Sequence, residues 1–191
     1  MFYEFLHRHT PCVVDGNEDV VILSRETKAT TVMGKEYVYN GVFSSESLVN
    51  RGSLVQAEDR FLVLTLRKTV DQDKYCSLVK TNAVVEVQRY QQAYDANDNP
   101  VGDAEFTSVA ADVVCSALYV TAQLRQQEPG LLPSTVFTLQ LQTTVDVRDP
   151  QDSSLSAPDR IVMGGKTYQV DVVDRIKYPN LLHVQLSEDR R

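Results

Sequence analysis

Alternation with a period of two residues runs through most of this 191-residue chain, and that period belongs to strands with one face in a core and the other in water. The plainest case is residues 134–148, STVFTLQLQTTVDVR. There Phe137, Leu139, Leu141, Val145 and Val147 share one parity, while Thr138, Gln140, Gln142, Thr144 and Asp146 fill the other. A long antiparallel strand with one wet face is predicted. Further on, residues 159–163 and 167–173 flank Gly164-Gly165, a pair suited to a two-residue hairpin turn. Tyr168, Val170 and Val172 point one way, Gln169 and Asp171 the other. After a Tyr178-Pro179-Asn180 turn, Leu182, Val184 and Leu186 alternate with His183, Gln185 and Ser187. The reading is a three-stranded meander with His183 on its surface.

The same signals recur upstream. Met1 to Thr10 reads as a short strand or an amphipathic arm anchored by Phe2, Phe5 and Leu6, and Asp15-Gly16-Asn17 marks a turn into the strand DVVILSRE. A second pattern, TTVM, ends at Gly34, and KEYVYNGVF (35–43) has the β-branched and aromatic bias of a strand. Residues 44–60 are polar, with one helical turn expected around 46–50, and FLVLTLR (61–67) is a compact apolar strand. AVVEVQRYQQAY (83–94) is followed by DANDNPVGDAEF, where Asp, Asn, Pro and Gly concentrate as they do at hairpin tips. A protruding hairpin over 83–106 is predicted. Residues 107–127 stay ambiguous. Val113, Val114, Ala117, Leu118 and Thr121 fit a helical stripe capped by Ser108 and stopped by Pro129-Gly130; Val114, Leu118, Val120, Ala122 and Leu124 nearly fit a strand. Helix is slightly favoured, on length and alanine content.

The fold class is therefore mainly β: a small antiparallel barrel or sandwich with a long hairpin insertion and one helix at 107–127. One domain spanning the chain is expected, with residues 68–150 an elaboration. No repeat of 20–50 residues is visible, and the likeness of AEDRF (57–61) to APDRI (157–161) is too short to mark a duplication.

Composition narrows function mostly by exclusion. A net charge of −7, with no Lys/Arg run longer than Arg190-Arg191, argues against tight nucleic-acid binding. Cys12, Cys76 and Cys115 are odd in number and widely spaced, so neither a disulfide framework nor a CxxC motif is present, and a reducing cytoplasm is expected. Glu4, His7, Arg8 and His9 interrupt the N-terminal apolar residues, and no window approaches the roughly 20 apolar residues of a membrane span.

Candidate chemistry thins out in the same way. GGKT (164–167) lacks the Gly that a phosphate loop requires, since Arg160 stands there, and strands flank it on both sides. Asp95, Asn97 and Asn99 have the spacing of a calcium loop, but Pro100 replaces its Gly and Phe106 its bidentate Glu. His7 and His9 could share a strand face yet lack a third ligand nearby. No nucleophile signature appears. No enzyme, metal or cofactor is expected.

The C-terminal pattern adds one positive indication. Asp159-Arg160-Ile161, then Gly165-Lys166-x-Tyr168-x-Val170, a Tyr178-Pro179 turn and a last strand resemble the head–tail connector proteins of tailed bacteriophages, most closely the stopper or head-closure type. An early strand with Ser24-Arg25, a Gly34-Lys35 turn, and Glu46 and Gly52 beyond it are compatible. The resemblance covers about 30 residues with this motif, and such stoppers are shorter than this chain. It implies a virion neck protein assembled in the host cytoplasm. Its partners would be its own copies in a six-fold ring, portal or adaptor proteins, tail or tail-terminator proteins, and DNA passing through the lumen without sequence-specific binding. Acidic loops would suit such a lumen. The candidate lumen or partner residues are Asp95, Asn97, Asp98, Asn99 and Asp103 on the hairpin, with Asp149 and Asp152 on the polar loop 149–158. Phe2, Tyr3 and Phe5 are candidates for an intersubunit arm. A tail terminator or adaptor ring is the alternative within that class. A monomeric β-sandwich binding module, using Tyr90, Tyr94 and Tyr119 as its aromatic platform, is the alternative outside it.

Overall fold

The computed structural model describes residues 2–26, 37–97 and 99–191; the TTVM pattern, Gly34 and Asp98 lie outside them. The chain is mainly β, and its strands close into two six-stranded antiparallel barrels.

The first barrel begins with β1 (Thr10–Val14) and β2 (Asn17–Arg25), joined by Asp15-Gly16. Both turn residues have positive φ, 46° and 89°, which matches the twist of the flanking strands. β3 (Val38–Phe43), β4 (Leu54–Gln56), β5 (Arg60–Lys68) and β6 (Lys74–Lys80) complete it. The order around the barrel is β1-β2-β3-β6-β5-β4, and β4 closes on β1 with Val14 opposite Val55. The run β4-β1-β2-β3 is a Greek key. Inward residues, among them Val14, Val21, Phe43, Val55, Phe61, Val63, Cys76 and Leu78, are buried as one cluster.

The second barrel contains β7 (Ala83–Tyr94), β8 (Pro100–Tyr119), a short helix α1 (Ala122–Gln127), β9 (Phe137–Gln142), β10 (Arg160–Met163), β11 (Lys166–Asp174) and β12 (Leu181–Glu188). Around it the order is β7-β8-β9-β12-β11-β10, with Ile161 of β10 opposite Val87 of β7. Strand for strand, this is the topology of the first barrel. The correspondence reaches single residues. Phe61 meets Tyr39 edge to face at 5.0 Å, and Tyr168 meets Phe137 edge to face at 5.3 Å. A bulge interrupts β5 between Val63 and Thr65 and β11 between Val170 and Val172. Ahead of each bulge, Val63 N–H donates to Ser53 O and Val170 N–H to Asp159 O, both at 3.0 Å. Gln72 (φ 65°) and Asn180 (φ 63°) take the same left-handed conformation before β6 and β12. AEDRF and APDRI are not part of this correspondence: Arg60 opens β5, the fifth strand of its barrel, whereas Arg160 opens β10, the fourth of its own.

The barrels pack through the outer face of β5 and β6, where Leu62 and Val79 bury Leu181, with Leu54, Leu64 and Tyr178 around them. Each fully buried aliphatic side chain contributes roughly 1.5–3 kcal/mol. Polar contacts fix the register: Gln142 Nε2 donates to Asp15 Oδ1 (3.1 Å) and Gly52 O (3.0 Å), and Asn180 Nδ2 donates to Arg51 O (3.1 Å).

Several sequence expectations are corrected. Residues 2–8 form two short 3-10 turns joined at a kink at Phe5 rather than a strand, and Phe2 is their buried anchor while Phe5 and Leu6 face solvent. Irregular backbone between turns at 45–46 and 51–52 replaces the helical turn expected at 46–50. Residues 107–119 are strand, as part of β8, because β7 and β9 both pair with them; helix is confined to the six residues of α1, capped by Thr121 Oγ1 accepting from Leu124 N–H. The strand expected over 134–148 stops at Gln142, and its polar face is not wet, since Thr138 and Gln140 are buried. The bulge in β11 turns Val173 inward in place of Val172. His183, expected at the surface, is buried. β1, β4 and β6 are strands that the alternation left unassigned.

Candidate interaction surface

Beyond the barrel wall, β7 and β8 continue as one hairpin, with Tyr94 opposite Pro100. Asp95 organises its tip. Its Oδ1 accepts from the N–H groups of Asn97 (2.8 Å) and Asn99 (2.9 Å), and Asn99 Nδ2 donates to Oδ2 at 3.1 Å. These bonds, led by the Asn99 N–H, hold the Asp95 carboxyl below its ordinary pKa. The Asp95 carboxylate thus serves the turn, and among the described residues no group of three or more His, Cys, Asp or Glu is placed to hold a metal. Asp103 is exposed on β8 beside Gly102, whose carbonyl accepts from Gln92 Nε2 at 3.1 Å. Asp98 lies outside the described residues.

The polar loop 149–158 is shaped by two successive Asp turns. Asp149 Oδ1 accepts from Gln151 N–H at 2.8 Å, and Asp152 Oδ1 from Ser154 N–H at 2.9 Å; the latter bond keeps the Asp152 carboxyl low. Their conformation is local, as short polar side chains allow.

Arg89 joins the hairpin to this loop. It shares the inward parity of Val85 and Val87 on β7 and is almost fully buried. Its Nε and Nη2 donate to the two oxygens of Asp159, each at 2.9 Å, while Nη1 donates to Asp146 Oδ2 at 2.7 Å and Nη2 also reaches Asp146 O at 3.1 Å. Arg148 N–H donates to Asp159 Oδ2 at 2.9 Å. The Asp159 bond, followed by that to Asp146, raises the Arg89 pKa, and the Arg89 bond lowers that of Asp146. One buried cation thus anchors both ends of the 143–159 connection to the hairpin base. This residue was missed by sequence reasoning, although a charge sharing parity with Val85 and Val87 was a usable signal.

A second cluster clamps the C-terminus. Arg160 lies 3.6 Å above the Phe106 ring, and Arg191 lies 5.0 Å from it; Phe106 in turn packs on Tyr90 at 5.2 Å. Asp189 sits between the arginines, accepting from Arg160 Nε and from Arg191. Burial pushes its carboxyl up, but hydrogen bonds from the Arg191 side chain and backbone, then Arg160, bring it down to about 2.

The three groups of candidate residues therefore divide. Hairpin and 149–158 loop stand together on the second barrel through Arg89. The N-terminal candidates belong to the first barrel. There Phe2 is buried against His9, ring centroids 4.2 Å apart, with its N–H on Asp73 Oδ2 at 2.9 Å, while Tyr3 and Phe5 face solvent. Tyr90, Tyr94 and Tyr119 do not form one platform: Tyr90 packs on Phe106 and Tyr119 on Phe137, with about 40 Å of strand between Phe106 and Tyr119 at strand rise. All three cysteines are buried, and burial pushes each thiol up to about 12. Among the described residues, no helix is long and apolar enough to cross a membrane.

No protein-family model matches the chain, and no curated protein matches it.

Proposed function

We propose that this chain is a structural protein of the neck of a tailed bacteriophage, forming a six-fold ring that joins the portal or adaptor to the tail and helps retain DNA in the head. The observation that carries this reading is the C-terminal pattern. Asp159-Arg160-Ile161, the Gly164-Gly165 turn and Tyr168-x-Val170 resemble the connector motif, and these residues make the meander that closes the second barrel. The surfaces on that barrel support it in kind. A projecting hairpin and a polar loop carry Asp95, Asp103, Asp149 and Asp152. Carboxylates at such positions repel phosphates, which suits a channel that DNA passes without adhering. No step of catalysis is invoked; function lies in assembly geometry.

The experiment is reconstitution with neck components. The purified chain is mixed with portal, adaptor and tail proteins encoded beside it, and the complexes are imaged by electron microscopy. A ring seated between portal and tail is expected. A chain that binds none of these components overturns the reading.

A further inference from the structure

The two barrels provide an internal control on which parts of the second are needed to close it. Val14 and Asn17 face each other across the two-residue turn Asp15-Gly16. By the closing pairs Val14–Val55 and Val87–Ile161, their equivalents are Val87 and Ala110, which residues 88–109 separate. The first barrel closes without such an extension. Most of the β7–β8 hairpin is therefore surplus to barrel closure.

The extension also leaves strand edges open. β10 pairs with β7 only over residues 85–88, and β9 pairs with β8 only over 116–119. Outward from there, β8 is paired on its β7 side alone from Pro100 to Cys115, as β7 is on its β8 side alone from Arg89 to Tyr94. Other strands have shorter one-sided stretches, such as β5 beyond Val63, whereas an open edge of the length of β8's is a template for another strand. Residues 88–91 pair with 105–108 without interruption, so the edges are regular over that stretch, between the register shifts at Val87/Gln88 and Gln91/Ala93. Tyr94 and Val101, neighbours near the tip, are 62% and 54% exposed, apolar surface that a further strand would cover.

We propose that these edges are an interface between copies of this chain, in which the β8 edge of one hairpin pairs antiparallel with the β7 edge of the next. Direction permits it, because the strand after β8 in a continuing meander runs as β7 does. Charge selects it. From Pro100 to Tyr119 the strand carries Asp103, Glu105 and Asp112 and no Lys or Arg, so β8 against β8 would bring like charges together. The β7 edge, residues 89–94, has no acid, and its one cation, Arg89, is turned inward to Asp159. The contact is heterologous and therefore propagates into a ring or a filament. Six residues of β7 edge is an ordinary strand length. The inference rests on the strand edges and stands apart from the virion reading: it concerns the chain alone, whereas that reading is tested with portal and tail proteins.

The test uses the chain with residues 91–105 replaced by Asn-Gly, which keeps Arg89 and the facing pair Tyr90–Phe106, together with single-cysteine variants. In sedimentation velocity the full chain is expected to form concentration-dependent oligomers and the shortened chain to remain monomeric with an unchanged melting temperature. A full chain that stays monomeric at its solubility limit, or a folded shortened chain that still oligomerises, overturns the proposal. Mixing Gln92→Cys chains with Ala104→Cys or Ser108→Cys chains under mild oxidation is expected to crosslink the mixture and neither variant alone. The native cysteines, being buried, stay silent. Crosslinking of a single variant with itself, or of no mixture, contradicts head-to-tail pairing, and this arm decides if the shortened chain fails to fold.

Discussion

Arg89 and Asp159 meet as a bidentate pair, Nε to Oδ1 and Nη2 to Oδ2 at 2.9 Å, with Arg89 5% and Asp159 0% exposed. Arg89 lies on β7 and Asp159 immediately precedes β10, and these are the two strands that close the second barrel. Both oxygens of Asp159 are satisfied, one shared with Arg148 N–H, so the charges are buried with their partners in place.

Removing one member of such a pair leaves the other as an uncompensated charge. Arg89→Ala and Asp159→Ala should each lower stability by about 3–5 kcal/mol. Chemical denaturation of the single and double variants checks this. The double variant should cost less than the sum of the singles, and additive losses would show that the pair is not coupled.

Gly52 is a point of close approach between the barrels. Its φ is +82°, and a Cβ there would lie 2.2 Å from Asn180 O, a backbone atom. Gly52→Ala should therefore disturb the interbarrel contact around Leu62, Val79 and Leu181 as well as strain its own backbone, for a loss of about 1–3 kcal/mol. Hydrogen exchange should show faster exchange at residues 51–54 and 178–181 while the barrel interiors stay protected. Unchanged exchange there would refute the assignment.

His183 gives stability a pH dependence. Burial lowers its pKa, and the Lys177 cation adds to the shift, against the opposing Glu128 and Asp174 carboxylates. Its Nε2 is 4.0 Å from Glu128 Oε2, and Nδ1 is buried with no hydrogen bond. Because the folded pKa is depressed below 6.5, the unfolded chain takes up this proton first. The stability is full above about pH 6.5 and falls as pH drops below it. Melting temperatures between pH 8 and pH 5 should decline more steeply for the native chain than for His183→Gln. Parallel declines would mean that His183 does not carry the effect.

The sequence showed β class well, and the reason is local. Alternation in the β9 region and in β11 and β12, and the Gly164-Gly165 turn, report on burial and φ within a few residues. Errors arose where a second layer covered a polar face. His183 and Gln185 sit on the polar parity of β12, yet the segment after α1 lies over them: Leu132 N–H and Thr135 Oγ1 donate to Gln185 Oε1 at 3.0 and 2.9 Å. A polar residue that finds its partner within the fold looks, in sequence, like one that finds water. The candidate surface divided likewise. Asp95, Asn97, Asn99, Asp149 and Asp152 were legible as turn formers because their bonds are local, whereas Arg89 depends on partners 57 and 70 residues away.

What the sequence determined by itself was the material: strand-forming alternation, left-handed turn positions at Asp15-Gly16 and Gly164-Gly165, thiols without a motif, and an excess of acid. Tertiary structure alone decided that this material closes twice, in one strand order, with Phe61 and Tyr168 at matching places. Such places are set by pairing partners and shared burial, which tolerate wide changes of side chain, so two barrels can agree in every strand pair while their sequences share little that a linear reading can detect.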